Sequence, residues 1–221
     1  MVQVKAYHLP PTELIPNSHF PLLHYKGVLS DKTDCKADEA YDLFHGNGWE
    51  INWIFRYGDT QMSHYHSRSH ECMAVLTGNA TIRFGVADTS FDMQENTYGS
   101  DFEKGGVEVQ AHAGDVFVIP AGVAHKTYST RPSADFTLLT PGKAKGIEAP
   151  DARKALQEIN LTGFTMLGAY PIGADWDFIE GSKDHSDWQN TWNIPKPKTD
   201  PALGESREGL CGLWKPLKAK L

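Results

Sequence analysis

GDTQMSHYHSRSHECMAVLTG, residues 58–78, carries His64 and His66 two apart, with Glu71 five residues after the second. In an extended strand, side chains at i and i+2 leave the same face. The two imidazoles therefore aim at one point. Glu71 reaches that point from the next strand if the chain turns over between Ser67 and His70. Imidazole with carboxylate suits one divalent transition metal, Fe, Mn, Ni, Co or Zn, and predicts a third histidine downstream. His125 answers, in GDVFVIPAGVAH (114–125), where a short strand enters a Pro/Gly turn and a second strand leaves it. Three imidazoles and a carboxylate leave two positions open on a six-coordinate ion, as a catalytic metal needs. A closed tetrahedral zinc site is the competing reading of the same residues.

Strand parity extends the picture. Met62 shares a face with His64 and His66, and Met73 and Val75 share one with Glu71, so these three are expected to line the pocket. A partly apolar pocket suits an organic substrate. Cys72 falls on the opposite face from Glu71 and reads as a packed thiol. His70 is expected to point outward, as a surface or supporting residue. Arg68, Asn52, Arg56 and Arg83 are candidates to bind a substrate carboxylate, with nothing in their spacing to choose among them. His8, His19, His24, His45, His112 and His185 have no ligand partner at a telling distance.

Before the motif, Pro10, Pro11, Pro16 and Pro21 exclude a helix and predict an extended arm that pairs with a sheet edge of its own barrel or of a neighbour. Ala40, Tyr41 and Phe44 predict a short helix over 36–45. Trp49, Ile51, Trp53 and Phe55 alternate with more polar residues and predict a strand with those four on one face. Residues 87–106, polar and glycine-containing, read as a long excursion. After the second motif a helix is expected over 152–159, capped by Asp151, then a last core strand from Phe164. The tail from Ser182 reads as irregular, pinned by Trp188, Trp192 and Trp214. The chain is read as one domain, 1–221, in three parts: an arm and short helix (1–48), a core barrel with both motifs (49–142), and a helical insert, last core strand and Trp-containing tail (143–221). Many short strands with Gly/Pro turns predict an all-β barrel or jelly roll with two short helices.

The two motifs resemble those of the cupin superfamily. Gly58, His64, His66, Glu71 and Gly78 match every position of its first motif. Gly114, Pro120, Gly122 and His125 match its second, and Ser129 stands where the family often has Asn. The resemblance implies an RmlC-like jelly roll with His64, His66, Glu71 and His125 as metal ligands. Ile15-Pro-Asn17, Asn47-Gly-Trp49 and the run from Gly168 to Asp177 further resemble the YjlB-like cupin subgroup, from which no settled activity carries over.

With a net charge of −7 and no basic run, the chain is a poor match for nucleic acid or an anionic membrane surface. No apolar run approaches the roughly 20 residues that span a bilayer. Three scattered cysteines and no apolar leader predict a cytoplasmic protein. The leading functional reading is a metal-dependent enzyme acting on a small organic molecule, with Fe- or Mn-dependent oxygenase chemistry. A redox-neutral isomerase, decarboxylase or hydrolase, and a non-catalytic metal or small-ligand binding protein, are the alternatives. The arm suggests a homodimer.

Overall fold

The computed structural model describes residues 2–33 and 35–215. Met1, Asp34 and the end of the expected 143–221 segment, residues 216–221, lie outside it. The chain runs β1 (Val4–Tyr7), β2 (Leu22–Tyr25), α1 (Val28–Thr33), α2 (Ala37–Gly46), β3 (Trp49–Tyr57), β4 (Glu71–Thr77), β5 (Asn79–Phe84), α3 (Glu95–Tyr98), β6 (Val107–His112), β7 (Val116–Ile119), β8 (His125–Arg131), β9 (Thr137–Leu138), α4 (Ala152–Gln157), β10 (Phe164–Pro171), α5 (Trp188–Trp192) and α6 (Leu210–Leu213). The two expected helices are α2 and α4. The other four span only 4 to 6 residues each, too short to show a helical period in sequence. Two of these, α5 and α6, lie in the tail read as irregular.

All strand pairs are antiparallel. One sheet has seven strands in the order β1-β2-β7-β4-β10-β3-β9, and the other has three, β6-β5-β8. Alternation along each strand divides most of the apolar residues into two large cores, beside a small third cluster of Ile15, Tyr65, Ala87 and Ala124. Between the sheets, Met73, Phe117 and Met166 meet Ile82, Phe84 and Val109. On the outer side of the larger sheet, Cys72, Val118 and Leu167 pack with Phe44 of α2, Leu156 of α4 and Leu210 of α6. Each large side chain so buried contributes roughly 1.5–3 kcal/mol. The result is the expected jelly-roll barrel, with a helical layer on one face.

The arm folds back on its own barrel. β1 pairs with β2 from Val4 opposite Tyr25 to Tyr7 opposite Leu22, and β2 pairs with β7. The prolines between them hold an irregular path, tied down by Asn17, whose side-chain amide donates to the carbonyls of Pro10 (2.7 Å) and Gly85 (2.9 Å).

β3 departs from simple alternation. Trp53 pairs with Gly168, but Ile51 pairs with Ala169, so Asn52 is an extra residue on β3. This bulge reverses parity along the strand. Trp49 and Ile51 join the outer core, while Trp53 and Tyr57 face the barrel interior. The single face expected for Trp49, Ile51, Trp53 and Phe55 is thereby split, and the aromatic half is turned toward the histidines.

Candidate metal centre

The three histidines come from two elements laid side by side. Residues 63–66 run extended along the start of β8: His64 and His125 exchange both backbone hydrogen bonds, at 3.2 and 2.8 Å. On the other side, Tyr65 exchanges backbone bonds with Ile179 (2.8 and 3.0 Å). His64 and His66 thus share a face, as their spacing predicts, although the segment is a pair of isolated bridges rather than a full strand. Glu71 opens β4, opposite Ile119, so the turn from Ser67 to His70 does bring it back. All four side chains are buried.

One ring nitrogen from each of His64, His66 and His125 lies within 4.8 Å of the others. The second ring nitrogens have separate partners. Nδ1 of His64 donates to the Met62 carbonyl (3.2 Å), Nδ1 of His125 to the Val123 carbonyl (3.3 Å), and Nδ1 of His66 to the Asp177 carbonyl. A carbonyl can only accept, so each Nδ1 carries the proton, which leaves Nε2 with its lone pair when the ring is neutral. Glu71 lies against them, Oε1 at 3.3 Å from His66 Nε2 and Oε2 at 3.3 Å from His125 Nε2. Oε1 accepts from Tyr170 Oη (2.5 Å), which accepts from Trp53 Nε1 (3.1 Å). Oε2 is buried without a hydrogen bond.

Burial holds His64 well below its ordinary pKa, helped by the neighbouring His125 and His66. Burial also takes His125 down to about 4, against the pull of Glu71. Burial depresses His66 too, but the Glu71 carboxylate, its hydrogen bond and Asp177 outweigh it, so His66 is raised. Burial favours the neutral form of Glu71, yet His66, His125 and the Tyr170 hydroxyl draw it down to about 2. At neutral pH the site therefore presents a carboxylate and, at His64 and His125, bare imidazole lone pairs. A buried convergence of acceptors with an unpaired carboxylate oxygen fits a divalent cation.

A strap after β10 supports the site. Asp177, besides its carbonyl bond to His66, accepts from Ser67 N–H (2.7 Å) and Ser67 Oγ–H (2.5 Å). Phe178 stacks on His64, with ring centres 3.9 Å apart, and Trp176 stacks on Tyr170 at 5.6 Å. The cavity at the histidines is small, about 140 Å³, and its walls are aromatic, including Trp53, Tyr57, Phe136 and Phe178. Met62, Met73 and Val75 do not line it. Met62 opens onto a separate cleft beside Asp88 and Glu103. Met73 and Val75 are sealed in the inner core, because β4 descends from the mouth at Glu71 and carries them beneath the histidines.

His70 is not a surface residue. It is buried, accepts from Ala121 N–H at Nδ1 (2.9 Å), and packs on Trp214 at 4.8 Å. Cys72 is buried in the outer core, as expected. Two of the polar candidates are engaged elsewhere, Arg83 with Glu108 and the Asn96 and Thr97 carbonyls and Arg56 with the Asp135 carbonyl, whereas the exposed Arg68 lies beside Asp175 and Asp177 of the strap. Tyr170, Trp53 and Asp177 were not singled out by sequence reasoning. The signal was a run of aromatic and acidic residues around Gly173 after the last strand, without a spacing that points to the motif.

A family model described as Cupin matches residues 61–158. Over 96% of its length the chain is 28% identical to the uncharacterised protein YjlB of Bacillus subtilis (strain 168), covering 97% of that protein. Solved structures with similarity include the oxalate decarboxylase of Lactobacillus farciminis in its formate complex (16% identity, TM-score 0.30), over 57% of this chain and 25% of that one. The chain thus spans about a quarter of that protein's length. RmlC of Streptococcus suis with dTDP-D-xylose (11% identity, TM-score 0.30) matches 76% of this chain and 70% of its own.

Proposed function

We propose that this chain is a cupin of the YjlB-like kind, and that His64, His66 and His125, with Glu71, hold one divalent transition metal for a reaction on a small organic molecule. The observation that carries this is convergence: one ring nitrogen from each of the three buried histidines lies within 4.8 Å of the others, and the Glu71 carboxylate lies 3.3 Å from His66 Nε2 and His125 Nε2. Three histidines and one carboxylate offset one of the two charges of the ion and leave room beside it. Bound there, Fe or Mn supplies Lewis acidity and one-electron chemistry with dioxygen, and oxygenase chemistry is the reaction we assign. The chain's own residues have separate tasks. The Asp177 carbonyl orients His66, Tyr170 holds one oxygen of Glu71, and Phe178 and Trp176 shield the site from water.

Metal analysis of protein purified without chelator or affinity-resin metal tests this, beside His64→Ala. The expected result is about one equivalent of Fe or Mn, lost in the variant, followed by oxygen uptake with an organic substrate. Product formation without oxygen would replace the oxygenase assignment with redox-neutral chemistry. Absence of metal from both proteins would end the proposal.

No helix among the described residues is long and apolar enough to cross a membrane. We place the protein in the cytoplasm, a reading supported by Cys35, Cys72 and Cys211, all free thiols. We also propose a homodimer. The arm lies on its own barrel and not across a partner, so the proposal rests instead on β1, which among the described strands pairs only with β2 and offers its other edge to a second copy. Light scattering at micromolar concentration should give twice the chain mass, and a monomer mass removes the dimer.

A further inference from the structure

The arm and the tail are tied to each other and yet leave a gap between them. Trp192 Nε1 donates to the carbonyls of Pro16 and Asn17, at 3.1 Å each, and Trp214 Nε1 donates to the Pro21 carbonyl at 2.8 Å. Trp214 also stacks on Phe20, with ring centres 4.9 Å apart. Beside these ties lies a groove of about 820 Å³, walled by residues 8–11 and 18–20 of the arm and by residues 189 and 192–196 of the tail. Proteins leave few voids where packing can close them, and apolar walls gain by closing. Here Pro10, Pro11 and Pro195 are part of the walls, and their fixed φ angles give the backbone little freedom to collapse. The volume falls within the roughly 300–1,000 Å³ of pre-formed small-ligand pockets. The groove has no lining residue in common with the cavity at the histidines.

The lining points to one class of ligand. Leu9, Phe20, Trp192 and Ile194 supply apolar surface. The ionisable side chains are His8, His19 and Lys196, with no Asp or Glu among them, in a chain whose net charge is −7. The cleft beside Met62 is the opposite case, lined by Glu13, Asp88, Glu103 and Glu180. Burial holds His19 below its ordinary pKa, so at neutral pH Lys196 is the fixed positive charge. Its ammonium donates to the Cys211 carbonyl (2.9 Å) and the Trp214 carbonyl (3.1 Å). An ammonium has a third proton to give. The lysines paired with a carboxylate among the described residues are Lys36, Lys126, Lys145 and Lys183, and Lys196 is not one of them. A cation entering the groove meets only like charge. A di- or triphosphate carries more negative charge than one ammonium offsets. A single carboxylate on an apolar body matches both parts of the lining.

We infer that the groove between arm and tail is a second ligand site, separate from the metal centre, for a small monocarboxylate with an apolar body, its carboxylate on Lys196 and its body against Trp192 and Ile194. The inference goes beyond the metal reading and does not depend on it.

Calorimetry on the full chain tests this with octanoate, octan-1-ol, octylammonium and acetate. Octanoate should bind about tenfold more tightly than octan-1-ol, which keeps the body and loses the charge. Octylammonium reverses the charge and acetate loses the body, and neither should give heat up to about 5 mM. Lys196→Gln should weaken octanoate about tenfold, to the level of the alcohol, and leave the alcohol unchanged. Gln189 is an exposed residue of the lining, and Gln189→Glu should weaken octanoate roughly threefold without moving the alcohol. That variant decides the charge question if circular dichroism shows that Lys196→Gln does not fold. Ile194→Ser should weaken both ligands, roughly fivefold. Chain stripped of metal with EDTA should bind octanoate as untreated chain does. Equal affinity for octanoate and the alcohol, tighter binding of octylammonium, absence of heat with octanoate up to about 5 mM, or loss of octanoate binding after EDTA overturns the inference. Indifference of octanoate to the charge variants and to Ile194→Ser alike does the same.

Discussion

At His70 the fold keeps an ionisable group in a place where it cannot charge cheaply. Its ring lies against Trp214 and near Phe20, and burial pulls its pKa from 6.5 to about 4. The nearby His19 acts in the same direction, and backbone groups of Ile194 and Pro195 oppose it. Because the folded pKa lies below the unfolded one, the unfolded chain takes up this proton first as pH falls. Stability is therefore complete above about pH 6.5 and is lost progressively down to about pH 4, by about 3 kcal/mol at roughly 1.4 kcal/mol per unit. His70→Gln keeps an acceptor for Ala121 N–H and removes the titration. Urea midpoints of the metal-free proteins between pH 7 and 4 should converge as pH falls, with wild type losing more. His64 and His125 titrate in both proteins and cancel in the difference. Parallel curves would show that His70 is not the group responsible. The same scale shows what the sequence could reveal of the site. His64, His66 and His125 announce themselves because their spacing matches strand geometry and a metal's donor preference. His70 reads from the sequence as an outward-pointing surface or supporting residue, since adjacency to Glu71 fixes the sign of parity but not what packs on the far side.

At the scale of elements, the bulge in β3 is what turns aromatic residues toward the metal centre, and Gly168 is what makes room for them. A Cβ on Gly168 would lie 2.1 Å from two atoms of the Trp53 ring. The indole lies directly over the glycine, and from there its Nε1 reaches Tyr170. Gly168→Ala should cost about 1–3 kcal/mol as an overpacked core position. It should also move the indole away from Tyr170, read as a loss of thermal stability with a shift in tryptophan fluorescence. Trp53→Phe in the Gly168→Ala background should recover part of the stability, because the smaller ring clears the new methyl. A simple sum of the two single effects would refute the contact as the cause. Period two in the sequence located the strand but not the bulge. An extra residue in one strand leaves no mark on hydrophobic alternation when, as at Ile51, Asn52 and Trp53, every position is buried. The short helices escaped for a related reason, having too few residues to repeat a pattern.

At the scale of the whole molecule, each sheet needs a cover on the side away from the inner core, and the two are covered by different physics. The seven-stranded sheet carries an apolar helical layer. The three-stranded sheet carries much of the excursion 87–106, held by buried cations. His125 faces the metal site, so alternation sends Lys126 outward from β8. There its Nζ is fully buried and donates to both oxygens of Asp88 at 3.0 Å and to Asn96. Arg83 of β5 donates to the Asn96 and Thr97 carbonyls and lies 3.5 Å over the ring of Phe102. Asp88 also receives Ser63 N–H (2.9 Å), one residue before His64. The excursion read from the sequence is thus a clamped cover, connected to the segment that bears the metal motif, and the sequence does not show the clamp because the partners that neutralise it lie on other strands. Removing one member of a buried ion pair costs far more than the pair contributes, about 3–5 kcal/mol, because the survivor keeps its desolvation penalty. Lys126→Met should therefore destabilise the chain by that order and expose 87–106 to limited proteolysis ahead of global unfolding. Asp88→Leu added to Lys126→Met should restore much of the loss, since the orphaned carboxylate goes with it. If the double variant is no more stable than the single one and the excursion resists protease in both, the cover is held by its apolar contacts and the buried pair is incidental.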